Sequence, residues 1–174
     1  GLVRYSQGSA ASGLSVTGLF YSADWNSSDQ IPKRAVDDGF LDRFGYVDRT
    51  SGGDTHPFGG IVEWQRTTAT GATHVEGYGF DYRLDLFSNF TYFLDDPENG
   101  DQFEQFDDRF VFGGRASHGW STSLFGRRSV VVVGGEMRRD DIGTVGLYRT
   151  TARSRLSTVR EDTVGQTSGG AYAE

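Results

Sequence analysis

Asp81 and Asp85 flank Arg83 in a stretch where charged and apolar residues alternate, and paired carboxylates are the usual requirement for acid–base hydrolysis. On an extended strand the pair is separated by about 13 Å at ~3.3 Å per residue. Inverting glycosidases hold their carboxyls roughly 6.5–9.5 Å apart. The spacing therefore favours a charge ladder over catalysis. Asp95, Asp96, Glu98, Asn99, Asp101, Glu104, Asp107 and Asp108 form an acidic cluster of the kind that binds Ca²⁺ through hard oxygens. Aligning Gly100 with the glycine of a calcium loop puts Pro97 where an acid or amide belongs, so a solvated acidic loop is expected. His56, His74 and His118 have no metal-ligand spacing and read as surface or strand-end residues. Ser12, Ser15 and the other serines lie in no nucleophile-elbow pattern. Arg149, Arg153, Arg155 and Arg160 stand near Glu161 and Asp162 and read as a solvated β-extension. No catalytic, cofactor-binding or metal residue is expected, and no enzyme activity; ligand-binding residues cannot be assigned.

The elements that carry these side chains alternate with period two. Tyr78, Phe80, Tyr82, Leu84, Leu86, Phe90, Tyr92 and Leu94 share one parity, and Asp81, Arg83, Asp85 and Asn89 the other. Such a strand, apolar on one side and charged on the other, suits a wall between lipid and water. Its expected lipid side is the Tyr82 and Leu84 side. The spacing predicts seven strands, near 2–8, 14–24, 58–68, 73–94, 109–120, 128–139 and 165–174. Leu14, Val16, Gly18 and Phe20 share a face, as do Phe110, Phe112, Gly114 and Ala116. Val130 to Val133 read as burial on both sides. The connections run short, long, short, long, short, long, which matches the short turns and longer loops of transmembrane barrels. Ile31, Ala35, Val36, Phe40, Leu41 and Phe44 predict a short helix over 32–43, with Ser28 as cap, Pro32 in the first turn and Gly45 at the end. Trp25, Trp64, Trp120, Phe87, Phe90, Tyr92 and Phe93 gather toward strand ends, where interface girdles or core packing would place them.

Composition sets the outer limits. The chain has 174 residues, a net charge of −7, no cysteine, 25 glycines and 14% aromatics. The acidic balance argues against nucleic acid as a partner. Rich aromatics with many turn residues point to an all-β antiparallel protein, an up-and-down barrel or barrel segment of seven or eight long strands. No run of 18 apolar residues is present, which excludes a membrane helix and says nothing against a membrane strand. An eight-stranded soluble barrel enclosing a small ligand is the alternative architecture.

Ala23-Asp24-Trp25-Asn26-Ser27-Ser28-Asp29-Gln30-Ile31-Pro32 and Gly52-Gly53-Asp54-Thr55 resemble outer-loop signatures of TonB-dependent outer-membrane receptors. Residues 81–94, continued by Gly100-Asp101-Gln102-Phe103-Glu104-Gln105-Phe106-Asp107-Asp108-Arg109, carry the strongest likeness. Arg138-Arg139-Asp140-Asp141-Ile142-Gly143 and Ser168-Gly169-Gly170-Ala171-Tyr172-Ala173-Glu174 add to it. The resemblance implies a parent that imports a scarce extracellular ligand through a plugged barrel of about 22 strands. It further implies a bacterial outer-membrane location, a lipid bilayer as partner, and an energy-coupling complex that acts on a plug region this segment lacks. The expectation is a single internal barrel segment over 1–174, with open edges able to pair with other chains.

Overall fold

Alternating side chains and abundant β-branched and aromatic residues carry most of the chain into strands. A computed structural model describes residues 1–9 and 11–174. Its strands are β1 (Leu2–Gly8), β2 (Ser12–Phe20), β3 (Ala23–Asn26), β4 (Gly52–Thr55), β5 (Phe58–Thr67), β6 (Gly71–Ser88), β7 (Phe103–Leu124), β8 (Arg127–Thr151) and β9 (Ser154–Ala173). One helix, α1 (Lys33–Asp37), lies between β3 and β4. The sheet runs β1-β2-β5-β6-β7-β8-β9, antiparallel throughout. β3 and β4 form a ribbon, and β4 pairs with Leu84–Phe87 of β6, beyond the stretch that pairs with β5. The protein is thus all-β and antiparallel, as expected. The sheet does not close into a barrel: β1 and β9 each have one neighbour and one open edge.

Antiparallel order puts the β1–β2 connection and those at 68–70 and 125–126 at one end and 21–57, 89–102 and 152–153 at the other. These are called the turn end and the loop end. The third long connection expected from sequence does not exist. β8 and β9 run on to Thr151 and Ser154 and are joined by Ala152 and Arg153 alone. Both turn residues have positive φ, 47° and 67°, the geometry of a two-residue hairpin turn whose twist matches its strands. Phe125 (53°) and Gly126 (77°) do the same between β7 and β8.

Two further expectations are corrected. The long central strand ends at Ser88, not near Leu94. Asn89 takes the Tyr92 amide on its side-chain oxygen at 2.8 Å, and Tyr92 turns to φ 63°. Alternation therefore outlasts the strand, because a local side-chain bond replaces the ladder. The helix is five residues long, with Pro32 at its cap position and Gly39 (φ 75°) closing it. Phe40 and Phe44 are 81% and 88% exposed. A helix far shorter than about 12 residues is marginal without packing, and these anchors pack on nothing.

One sheet makes one layer. The accessible surface is 11705 Å², against about 8,400 Å² for a folded globular chain of this mass. Buried apolar side chains among the described residues are few: Phe87, Phe106 and Tyr148, all toward the loop end. The expected two-sided burial of Val130–Val133 is not found, since Val130 is 64% and Val133 45% exposed and no second layer covers either face.

The β8–β9 turn yields a prediction. Ala152 holds a left-handed conformation that asparagine tolerates better. Ala152→Asn should raise stability by about 1 kcal/mol, read from the urea midpoint of the folded chain. A lowered midpoint would contradict the turn geometry.

Candidate functional site

Cross-strand register decides which side chains share a face. Tyr5 pairs with Val16, Val16 with Val62, Val62 with Gly77, Gly77 with Gly114 and Gly114 with Met137. One step toward the turn end, Leu14, Trp64, Val75 and Ala116 form the next row of the same face. Phe112 and Trp120 lie on it too, above and below. Across the turn-end half this Val62 face is mainly apolar and open, with Tyr5, Val16, Val62, Val75, Phe112 and Trp120 all exposed; Arg139, the partner of Phe112, and His118 are polar members of it.

The opposite face at the same height is ionic. Ser15, Glu63, Glu76, Arg115 and Glu136 form one row. Arg4 Nη2 donates to Glu63 at 2.9 Å, Arg115 Nη2 to Glu76 at 2.8 Å and Arg138 Nε to Asp140 at 2.7 Å. Aromatic rings on this Glu63 face lie flat over glycines of neighbouring strands. A Cβ on Gly113 would meet Tyr78 Oη at 2.6 Å, and one on Gly59 would clash with the Phe80 ring. Such ring-over-glycine pairs support a bent sheet.

Toward the loop end the two faces exchange character. The Val62 face now carries Asp81, Arg83, Asp85, Glu104 and Arg155, while the Glu63 face carries Phe80, Tyr82, Leu84, Leu86 and Leu147 beside the Arg109–Asp107 pair. Glu104 is 2% exposed. Arg155 grips both its carboxylate oxygens, with Nε at 2.7 Å from Oε2. The guanidinium stacks 3.7 Å from the Tyr148 ring centre and 5.0 Å from that of Phe106. Tyr148 Oη donates to Glu161 at 2.6 Å.

A second network ties the loops to the β8–β9 hairpin. Gln102 Nε2 donates to Thr50 Oγ1 (2.6 Å) and Asp48 Oδ2 (3.1 Å), and its Oε1 accepts from Thr150 Oγ1 (3.0 Å) and the Arg153 amide (2.8 Å). Asn89 Nδ2 donates to Asp48 Oδ2 at 2.9 Å, and the Asn89 amide donates to Asp29 at 2.7 Å. Arg153 Nε donates to the Thr50 carbonyl at 2.8 Å, and its guanidinium lies 5.3 Å from the Phe87 ring centre. Burial pushes the Asp48 carboxyl up, but the bonds from Thr50, Asn89 and Gln102 outweigh it and hold the group below its usual value. On the Glu63 side a cleft of 450 Å³ opens between Phe90, Phe103, Leu147, Val159, Gln105 and Arg149.

The residues singled out from sequence are distributed as follows. Asp81 and Asp85 lie on one face of β6, and Asp85 accepts from Arg83 Nε at 3.1 Å. The acidic cluster divides: Glu104, Asp107 and Asp108 belong to β7, while Asp95–Asp101 form the loop. Within the loop Asp96 accepts the amides of Glu98 (3.1 Å) and Asn99 (2.9 Å). Asp101 accepts those of Leu94 and Asp96, both at 2.8 Å, and of Asp95. Partial desolvation raises Asp101, yet these bonds and one from Thr91 prevail and hold it at about 2. Arg153 and Arg155 are locked into networks; Arg149 makes no hydrogen bond or ion pair with a described residue and lines the cleft. His56 meets Ser22 at 3.0 Å, and His118 meets Thr73 at 2.7 Å and lies tilted against Trp120, 4.4 Å between ring centres. Trp64 and Trp120 sit on the Val62 face, whereas Trp25, Phe87, Phe90, Tyr92 and Phe93 belong to the loop end. His74 is no strand-end residue: it is half-buried on β6 beside Glu63 and Glu76. That grouping, like Glu104 with Arg155, joins separate strands and has no local spacing to betray it.

Comparison with protein-family models, curated proteins and solved structures gives no match for this chain.

Two predictions follow from the geometry. Arg155→Ala leaves a buried carboxylate without its partner and should cost about 3 kcal/mol. The double change Glu104→Leu/Arg155→Met should recover most of that loss, both read from urea midpoints; equal losses would contradict a mutually dependent pair. The second concerns acid. Asp101 is depressed from 3.8 to about 2, so its contribution is complete above pH ~4 and fades as the pH falls through its folded value. Protease resistance of the 89–102 loop should hold from pH 7 to 5 and drop between about 4 and 2. In Asp101→Asn the loop should be cut readily at every pH.

Proposed function

We propose that this chain is a segment of an outer-membrane barrel wall, of the kind that surrounds the import path in TonB-dependent receptors. The observation that carries this reading is the contrast between the faces in the turn-end half. Val62, Val75, Phe112 and Trp120 stand open on one side, and Arg4–Glu63, Arg115–Glu76 and Arg138–Asp140 pair on the other. Water on both sides leaves the Val62 face unexplained; hydrocarbon on that side and water on the other accounts for both. From Phe110 to Trp120 the apolar side of β7 covers ten residue steps, or about 33 Å along the strand and ~25 Å along the membrane normal at ~40° tilt, the height of a barrel's apolar band. Phe20, Phe58 and Phe110 share the upper row with Asp81 and Asp141, so aromatic rings and the first charges meet where an interface girdle would lie. The lipid side is then the Val62 side, opposite to the Tyr82 and Leu84 side expected from β6 alone.

At that row the wall leaves the bilayer, and from Asp81 and Asp141 onward charges on its outer surface meet water. The loop end then faces outward and the short turns face the periplasm. Strand parity bears on closure. β1 and β9 run in the same sense, so a closed antiparallel wall takes an odd number of further strands. Two copies in the same membrane orientation would offer each other only parallel edges, which disfavours self-association as the native closure. In this reading lipid is the partner of the Val62 face, a small extracellular ligand meets the loop-end cleft, and energy coupling acts on a plug outside this segment. No covalent chemistry is needed.

Arginine at mid-depth distinguishes the faces. Val62→Arg should cost about 2–4 kcal/mol of bilayer insertion and reduce the protease-protected fraction in liposomes. Ser117→Arg, on the Glu63 face, should insert like the parent. Equal behaviour of the two variants would refute the assignment of the faces.

A further inference from the structure

Glu63 on β5 and Glu76 on β6 are direct cross-strand partners. Like charges placed opposite each other destabilise a strand pair, so this arrangement needs positive charge, which Arg4 and Arg115 supply to one oxygen of each carboxylate. His74, two residues before Glu76, projects on the same face. One ligand atom from each of the three residues lies within 4.8 Å of the other two, and all three side chains are half-buried. Outer donors already orient the carboxylates. Arg4 Nη2 (2.9 Å) and Ser15 Oγ (3.0 Å) hold Glu63 Oε2, and Arg115 Nη2 (2.8 Å) holds Glu76 Oε2. The second oxygen of each carboxylate and the His74 ring nitrogens have no hydrogen-bond partner among the described residues. A cleft of 330 Å³, lined by Glu63, His74, Gln65, Arg4 and Ser15, opens beside them.

We infer that Glu63, His74 and Glu76 form a binding site for a divalent transition-metal ion, with Zn²⁺ as the reference ion. One imidazole and two carboxylates suit Zn²⁺ and its neighbours, and fewer protein oxygens are gathered than Ca²⁺ requires. Three protein ligands leave a fourth position open to water. Ligating carboxylates are normally held by an outer shell of donors, the part played by Ser15, Arg4 and Arg115. The two arginines balance the carboxylates when the ion is absent, and their side chains are more than half exposed, so they turn to water when it binds. His56 and His118 have other partners and stand outside the cluster. The inference rests on sheet register alone and holds whatever covers the opposite face.

Calorimetric titration of Zn²⁺ into the detergent-folded chain at pH 7 tests it. One saturable site is expected, weakened at least tenfold in His74→Ala and in Glu76→Gln, unchanged in His118→Ala, and not displaced by a hundredfold excess of Mg²⁺ or Ca²⁺. Zinc-edge X-ray absorption on the unmutated protein should show one imidazole nitrogen with oxygen ligands near 2.0–2.2 Å, a readout independent of how the variants fold. Absence of saturable binding, undiminished affinity in His74→Ala, or a spectrum without imidazole would overturn the site.

Discussion

Register is the constraint on which this structure depends. A single-layer sheet has no interior to sort its side chains, so the hydrogen-bond ladder does the sorting. From β1 to β8 the pairing keeps Tyr5, Val16, Val62 and Met137 on one side and Ser15, Glu63, Glu76 and Glu136 on the other. A slip of one residue between β5 and β6 would bring Val62 onto the face of Glu76 and Glu63 onto that of Val75. The ion pairs hold the neighbouring registers in the same way, Arg4–Glu63 tying β1 across β2 to β5 and Arg115–Glu76 tying β7 to β6. Phe80 over Gly59 pins the β5–β6 register sterically, and Tyr78 over Gly113 that of β6 and β7.

The two ends of the sheet are held by different forces. In the turn-end half the ladder and surface ion pairs act without a core, and the proposed hydrocarbon against the Val62 face would supply the missing apolar contact. At the loop end polar side chains supply the order. Glu104, Gln102, Thr150 and Ser51 are all buried, and no buried side-chain nitrogen or oxygen among the described residues lacks a hydrogen-bond partner. Such networks fix geometry well when fully satisfied. They explain why loops with few apolar contacts hold a defined shape around the Phe90–Phe103 cleft.

Much of the architecture was legible in the sequence, because alternation survives wherever strands do. The strands over 2–8 and 58–68 fall within a residue of expectation, and the turns at 68–70 and 125–126 were signalled by glycine. What failed had local physical causes. Asn89 and Tyr92 turn the chain where alternation continues, and Phe40 and Phe44 repeat at helical spacing without anything to pack on. The polar stretch 140–164 was read as a loop, yet it extends two strands, since a strand with both faces open tolerates polar residues on either side. The faces could not be read from β6 alone. Its even-numbered aromatics cover glycines on the ionic face, and only pairing with β5 and β7 reveals that Val62 and Phe112 lie opposite them. The Glu63–His74–Glu76 and Glu104–Arg155 groupings were hidden for the same reason.

The sharpest measurement uses the three tryptophans, one at a time, in bilayers whose acyl chains carry bromine. Variants retaining only Trp64 or only Trp120 should be quenched strongly, and the variant retaining only Trp25, on β3 at the loop end, should not. Unquenched Trp64, or quenching as strong at Trp25 as at Trp64, would contradict a wall whose Val62 face meets hydrocarbon.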